Sequence, residues 1–493
     1  MKEYRNFIDG KWVSSRTGKT FENRNPANWE EVVGIFPASD SRDVDDAVSS
    51  AKAAFPSWRL VPPPKRADIL LKTRDILIRR KEEISQLMTR EMGKVLVETR
   101  GDTQEGIDTA LYSAGEGRRL FGQTTTSELR DKFAMSIRLS VGVCGLITPW
   151  NFPMAIPTWK VFPALICGNT VVIKPASDTP LTATLLVEVL SEAGVPEGVV
   201  NIVHGGGGSV GTAIVEHKDV SLISFTGSSD VGRDIGGRCG RSLKKVSLEL
   251  GGKNGQIVMD DADLYSAVEG ALWGAFGTTG QRCTATSRLI VHEKVLKEFT
   301  AMFIERTRKL KVGDGLLPDV QVGPLVNKGQ RDTVDKYVKI GISEGAKLLT
   351  GGKVCEEGDL KKGFFYEPTV FGDVHRKMRI AQEEIFGPVI GIIPAKDFDD
   401  AVSILNDSDY GLSSSIYTND ITRAQRAIRD LEAGITYING PTIGAEVHLP
   451  FGGVKATGNG HREASVTVLD IFSEWKSVYI DFSGKLQRAQ IDT

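Results

Sequence analysis

From about residue 138 the chain alternates between short apolar runs and polar-faced stretches of helix length. The runs are VGVCGLITP, NTVVIKPA, GVVNIVHG, VSLISFTGS and KKVSLELGG. Short, continuously apolar, β-branched segments suit strands covered on both faces. Strands that alternate with helices build βαβ units and a parallel sheet, so this is an α/β protein. A second alternation starts near 255 with GQIVMDDADL and SRLIVHE. It continues through helical 293–310 and 328–344, then EPTVFGDV, GPVIGIIPA, SSSIYTND and AGITYING. That predicts a second α/β domain with no Ser/Pro linker before it. Upstream, the first 60 residues read as short strands and turns (FIDGKWV, EEVVGIFPA), and 65–120 as helix. The terminal EWKSVYIDF at 474–482 reads as a lone strand that must pair with something, another subunit being one candidate.

Composition narrows the function classes. The 493 residues carry a net charge of −2, with 25% charged and 40% hydrophobic residues. Disorder, collagen and secreted mini-proteins are excluded, and nothing draws the chain to nucleic acid or an anionic membrane. Cys144, Cys167, Cys239, Cys283 and Cys355 are widely spaced with no C-x-x-C pair, so neither a disulfide framework nor a metal site is expected. The start, MKEYRNFIDG, lacks a signal-like apolar region, and no run approaches the ~18 apolar residues of a membrane span. The expected location is the cytoplasm.

Two motif matches fail. Gly18-Lys19-Thr20 lacks its upstream glycine (Val13 stands there), and His292-Glu293 lacks its second histidine (Leu296). Gly206–Gly211 fits G-x-G-x-x-G after a strand, or is simply a turn. Phe225-Thr226-Gly227-Ser228 ends a strand before a helix starting near Ser229; it is an anion site at a helix start, or Ser228 or Ser229 is only a cap. Cys283, in a polar Gly-rich segment beside Arg282, is the best nucleophile candidate, the arginine favouring a thiolate; no histidine lies nearby in sequence. Glu249 closes an apolar strand, where desolvation would make it a general base, unless it is an exposed strand end.

PWNFP at 149–153, KPA at 174–176, FTGS at 225–228 and LELGGK at 248–253, with GQRCTA at 280–285, EEIFGP at 383–388 and PFGG at 450–453, together resemble the aldehyde dehydrogenase superfamily. The seven occur in the family's order within a resemblance covering residues 7–482. The resemblance implies that Cys283 attacks the aldehyde, Asn151 and the Cys283 N–H form the oxyanion hole, and Glu249 is the base for hydrolysis. Glu463, in GHRE, matches a secondary proton-relay carboxylate. On the cofactor side, Lys174 and Glu384 match the holders of the two riboses, Gly227 and Ser228 the phosphate site, and Trp150 and Phe386 the nicotinamide surroundings. Phe152 falls on the substrate side. Ser177 stands where many NAD-preferring members carry a glutamate that repels a 2′-phosphate, so either NAD or NADP is expected, with NADP tolerated and a candidate for preference.

The family's fold implies a dinucleotide-binding domain (1–120 and 140–251), a catalytic domain (252–455) and a bridging lobe (121–139 and 474–493), in a homodimer or homotetramer. Two rival functions are a coenzyme A-acylating dehydrogenase and a non-catalytic binding or structural member; Cys283, Asn151 and Glu249 speak against the second and Glu249 against the first. GAEVHLPFGG and QRC are most similar to branches oxidising ω-semialdehyde acids such as 2,5-dioxopentanoate (α-ketoglutarate semialdehyde). There Arg282 is expected either to anchor the distal carboxylate or to tune Cys283 and pair with a structural carboxylate.

Overall fold

The apolar strands sort their side chains onto two faces with the period of two that a sheet imposes. In Val143–Ile147 and Thr170–Lys174, Cys144, Leu146, Val171 and Ile173 enter one buried cluster, whereas Val143, Ile147 and Val172 enter the cluster on the other face. The structure, a computed structural model, describes residues 2–491; Met1, Asp492 and Thr493, at the ends of the expected first and bridging regions, lie outside the described residues. The first sheet has seven strands in the order Lys245–Glu249, Leu222–Thr226, Val143–Ile147, Thr170–Lys174, Val200–Ile202, Asn6–Ile8, Lys11–Val13. The first five are parallel, and the N-terminal pair adds antiparallel at the edge. Chain order runs outward from Val143–Ile147 in one direction and then returns beside it, so a topological switch lies between that strand and Leu222–Thr226. The crevice at the carboxyl ends of strands flanking such a switch is where open α/β sheets bind ligands.

The second sheet also has seven strands, in the order Lys347–Thr350, Thr369–Gly372, Val389–Ala395, Thr286–His292, Asn254–Val258, Ser413–Tyr417, Ile435–Ile438. All are parallel except the first, and this sheet too is covered on both faces. A third sheet of three antiparallel strands joins Ser473–Asp481 to Lys132–Ser140, in register from Ser473 opposite Ser140 to Asp481 opposite Lys132, and then to Gln123–Thr126. The terminal strand therefore pairs within its own chain.

One expectation for the N-terminal 60 residues is corrected. Ser41–Trp58 is a helix, started by a capping box in which the Asp40 and Asp43 side chains and backbone N–H groups bond reciprocally. Its serines and Pro56 obscured a face of Val44, Ala47, Val48 and Ala51 that is fully buried against the first sheet.

Candidate active site

Several motif residues sit where strands of the first sheet end. Lys174 closes Thr170–Lys174, Glu249 closes Lys245–Glu249, and Asn151 follows Val143–Ile147 by four residues. Gly227 and Ser228 connect Leu222–Thr226 to the helix Ser229–Arg241, and the Gly227 N–H donates to the Glu249 carbonyl at 3.1 Å. Register in the sheet thus places these groups side by side.

Cys283 comes from the other sheet, on the segment between the helix Leu264–Phe276 and the strand Thr286–His292. This segment is tightly bent. Thr278 and Thr279 have φ of 53° and 58°, a left-handed conformation that costs β-branched residues about 1–3 kcal/mol each. Gly280 follows at φ 70°, and a Cβ there would lie 2.2 Å from the Gly387 carbonyl oxygen, so only glycine fits. Side chains hold the bend. The Gln281 carbonyl accepts from Asn151 Nδ2 at 3.0 Å, the Val326 N–H donates to Gln281 Oε1 at 3.0 Å, and Asn254 Nδ2 donates to the Cys283 carbonyl at 2.8 Å.

Two cavities meet at Cys283. One, about 290 Å³, is lined by Trp150, Asn151, Gly227, Ser228, Glu384 and Phe386. The other, about 110 Å³, is lined by Phe152, Trp159, Glu249, Arg282, Phe451 and Glu463. Ile156, Thr226, Leu250 and Cys283 line both, so the thiol stands at the junction of one passage. A larger open groove of about 400 Å³ beside Trp273 and Arg306 contains none of the motif residues.

In the first cavity, Ser228 takes the N-cap position without capping the helix by its side chain, which leaves its hydroxyl and the first-turn N–H groups available. Ser229 Oγ accepts from the Gly251 N–H at 3.4 Å. The Lys174 ammonium donates to the Pro175 carbonyl at 2.7 Å, and burial lowers its pKa to about 8. Glu384 accepts from the Gly252 N–H at 2.9 Å while burial raises its pKa to about 7. Phe386, at φ 57°, sets its ring edge-on to Trp150 with centroids 5.3 Å apart. Thr226 Oγ1 is buried with no partner among the described residues. A bare helix start with the buried carboxylate of Glu384 in the same cavity suits a dinucleotide, phosphates at the helix and a ribose hydroxyl at the carboxylate, while Lys174 is outside that cavity's lining. Ser177 Oγ donates to the Gly205 carbonyl at 3.2 Å, and Asp178 beside it accepts from Asn327 Nδ2 at 2.9 Å. Gly207–Gly211 forms one π turn leading into the short helix Thr212–Glu216.

In the second cavity Glu249 is buried, and Oε1 has no partner among the described residues. Burial and the neighbouring Glu463 hold its carboxyl well above the usual carboxylate range. Glu463 Oε1 accepts from Lys160 Nζ and from Ser224 Oγ at 3.2 Å; both carboxylates and the lysine are enclosed.

The geometry corrects the expectation that Arg282 favours a Cys283 thiolate. Arg282 turns away from the sulfur: Nη2 donates to Glu98 at 3.1 Å, Nε to Thr278 Oγ1 at 2.9 Å, and the guanidinium lies 5.3 Å from the Phe152 ring centroid. Burial, with Glu249 and Glu384 nearby, instead pushes the Cys283 thiol up to about 12. Arg282 also lines the second cavity, so anchoring a distal carboxylate and pairing with a structural carboxylate both remain open to it, but tuning the thiol does not.

Sequence reading missed Glu98, Glu105, Lys160 and Ser224. Glu105 lines the second cavity, and burial and Asp102 raise its pKa to about 8. Glu98, Asp102 and Glu105 share one helix face, a pattern that ordinarily means a solvated surface. Lys160 is the lone charge in the otherwise apolar helix Ala155–Ile166, which was the available signal. No cluster of three or more His, Cys, Asp or Glu that could hold a metal occurs among the described residues. Nor is any helix among them long and apolar enough to cross a membrane.

Known proteins match the chain over nearly its whole length. A family model described as the aldehyde dehydrogenase family matches residues 12–478. The chain is 43% identical over 477 residues to an alpha-ketoglutaric semialdehyde dehydrogenase of Bacillus subtilis (strain 168), covering 97% of this chain and 98% of that one. It superposes on betaine aldehyde dehydrogenase of Staphylococcus aureus in complex with NAD+ with a TM-score of 0.96 at 34% identity, over 98% and 95% of the two chains. An NADP-dependent enzyme of E. coli gives a TM-score of 0.94 at 37% identity, over 97% and 98%.

Proposed function

The chain belongs to the aldehyde dehydrogenase family, and we propose that it oxidises an ω-semialdehyde acid to the dicarboxylate with NAD+ or NADP+, ending in hydrolysis. The observation that carries this reading is the placement of Cys283 at the junction of the cavity lined by Trp150, Ser228, Glu384 and Phe386 and the small cavity lined by Glu249.

The chemistry follows from these neighbours. In the resting site burial keeps the thiol neutral, so its proton leaves to water in the passage before the sulfur attacks, and Glu249 is reserved for the later hydrolysis. Sulfur then adds to the aldehyde carbon and gives a thiohemiacetal oxyanion. Asn151 donates one N–H to Gln281 and keeps the second for that oxygen, beside the Cys283 N–H. Such a donor is worth roughly 10²–10³ in rate. Bound NAD(P)+ supplies the acceptor for the hydride expelled as the oxyanion collapses. A thioester remains on Cys283. Glu249 takes a proton from water, hydroxide attacks the thioester, and the carboxylate departs as the sulfur leaves. Glu463, bonded to Lys160 and Ser224, passes the proton onward from the buried Glu249.

In the first cavity we assign the phosphates to Gly227 and Ser228, one ribose to Glu384, and the nicotinamide wall to Trp150 and Phe386; Lys174, outside that lining, we assign to the other ribose. Ser177, in place of an acidic residue, presents a hydroxyl rather than a carboxylate to a 2′-phosphate, so NADP is accepted as well as NAD; Asp178 beside it accepts from Asn327. The substrate class rests on the semialdehyde dehydrogenase relative and on the second cavity. Phe152 walls it, Arg282 keeps N–H groups beyond those given to Glu98 and Thr278, and Glu105 is mostly uncharged at neutral pH. The residue divisions 1–120 with 140–251, 252–455, and 121–139 with 474–493 serve as cofactor domain, catalytic domain and bridging lobe. The outer edges of the three-stranded sheet support a homodimer or homotetramer. The five free cysteines, with no disulfide among them, support a reducing, cytoplasmic location.

The test is turnover of 2,5-dioxopentanoate with each cofactor, with and without coenzyme A, alongside Cys283→Ala. The reading expects coenzyme A-independent turnover and a loss of about 10³ or more in kcat in the variant. A requirement for coenzyme A, or substantial activity without the thiol, overturns it.

A further inference from the structure

We propose that Glu98 is a positioning residue that holds the nucleophile segment in its strained shape, and so sets both the sulfur and the oxyanion donor. The proposal rests on the assignment of Cys283 as nucleophile. Glu98 is in the first turn of the helix Leu96–Glu116, far along the chain from Cys283, where the helix dipole favours a carboxylate. Its two oxygens accept the Thr278 N–H at 2.8 and 3.0 Å, and Oε2 also lies 3.3 Å from Thr278 Oγ1. Oε1 also accepts Arg282 Nη2 at 3.1 Å, and Arg282 Nε returns to Thr278 Oγ1 at 2.9 Å. One carboxylate therefore closes a ring from Thr278 to Arg282, the residue before the nucleophile.

The ring spans the residues that resist it most. Thr278 and Thr279, both β-branched, sit at positive φ, a conformation that persists only where surroundings impose it. The Gln281 carbonyl lies inside the same ring and accepts the Asn151 amide at 3.0 Å, so the clamp reaches the proposed oxyanion donor as well. Glu98 and Arg282 are only 9% and 12% exposed, which keeps water from competing for these bonds. Glu98 touches none of the reacting atoms; it acts through Thr278 and Arg282.

Removing the clamp should let the segment relax and misplace the sulfur, and displacements of about 1 Å cost up to 10²-fold in rate. Glycine at 278 adopts positive φ without strain and should need the clamp less. The experiment compares the wild type, Glu98→Ala and Glu98→Ala/Thr278→Gly by kcat, the KM for each substrate and the alkylation rate of Cys283 by iodoacetamide. Glu98→Ala should lower kcat and alkylation together, by about tenfold or more, with the cofactor KM within about twofold. The glycine should restore at least about threefold of the loss, which a merely structural role would not do. Glu98→Ala with kcat and alkylation within about twofold of wild type, or a double variant no better than the single one, overturns the proposal. If Glu98→Ala does not fold, Glu98→Gln, alone and with Thr278→Gly, is read by the same criteria. Turnover surviving in Cys283→Ala would instead defeat the nucleophile assignment.

Discussion

The two halves of the passage around Cys283 are built by different means. On the cofactor side, Lys174 and Ser228 stand at or just past the ends of parallel strands, placed by a hydrogen-bonded register that fixes several positions at once. On the nucleophile side, the backbone from Thr278 to Gly280 runs through positive φ, and the segment through Cys283 is held by Glu98 at Thr278 and Arg282, by Asn151 and Val326 at Gln281, and by Asn254 at Cys283. A sheet edge tolerates exchange of one side chain because its neighbours keep the backbone in place. A clamped bend depends on each contact separately. Apart from Glu249, which also closes a strand but serves the hydrolysis, substitutions on the cofactor side should therefore change what is bound, and substitutions around the bend should change how fast chemistry proceeds.

The steepest expected response is that of the thiol to pH. Burial and two nearby carboxylates raise the Cys283 pKa to about 12, so the thiolate fraction is small at neutral pH and grows as pH rises. Without cofactor, alkylation by iodoacetamide should rise about tenfold per pH unit, close to a hundredfold between pH 7 and 9. A plateau reached below pH 8 would mean that the resting thiol is already activated.

On the sheet-edge side, Ser177→Glu should shift the ratio of kcat/KM values from NADP toward NAD by about thirtyfold, since a carboxylate facing a 2′-phosphate costs a few kcal/mol. The kcat with saturating NAD should hardly change. An unaltered ratio would remove Ser177 as the selector.

Arg282→Leu touches the bend and the substrate cavity together and separates the two roles. Loss of the bonds to Glu98 and Thr278 should lower kcat for every aldehyde. Loss of the guanidinium should raise KM about tenfold, or 1.4 kcal/mol, only for an aldehyde with a distal carboxylate. Equal KM changes for a charged and a neutral aldehyde of similar length would leave Arg282 with the structural role alone.

The same contrast explains what could be read from the chain. Apolar runs end where polar motif residues begin, so Glu249 and the Phe225–Ser228 turn could be placed at strand ends from local pattern alone. The bend could not. Glu98 meets Thr278 across a separation of 180 residues, and an acidic residue on a helix face ordinarily reads as solvated. For the same reason the adjacency of Arg282 and Cys283 in sequence misled: neighbouring side chains on a bent segment point apart, and the partner of Arg282 comes from the N-terminal third of the chain. The helix Ser41–Trp58 was hidden by its serines and proline, although its Asp40 and Asp43 cap was present in the sequence.

The division of labour at Cys283 is tested most directly by Glu249→Gln in a stopped-flow assay. If sulfur addition and hydride transfer occur before Glu249 activates water, mixing with aldehyde should give a burst of about one NAD(P)H per site, followed by a steady state lowered by about 10²-fold or more. The thioester should be trapped on Cys283 and visible by mass spectrometry. Loss of the burst together with turnover, with no acylated Cys283, would contradict the account and place Glu249 at deprotonation of the thiol.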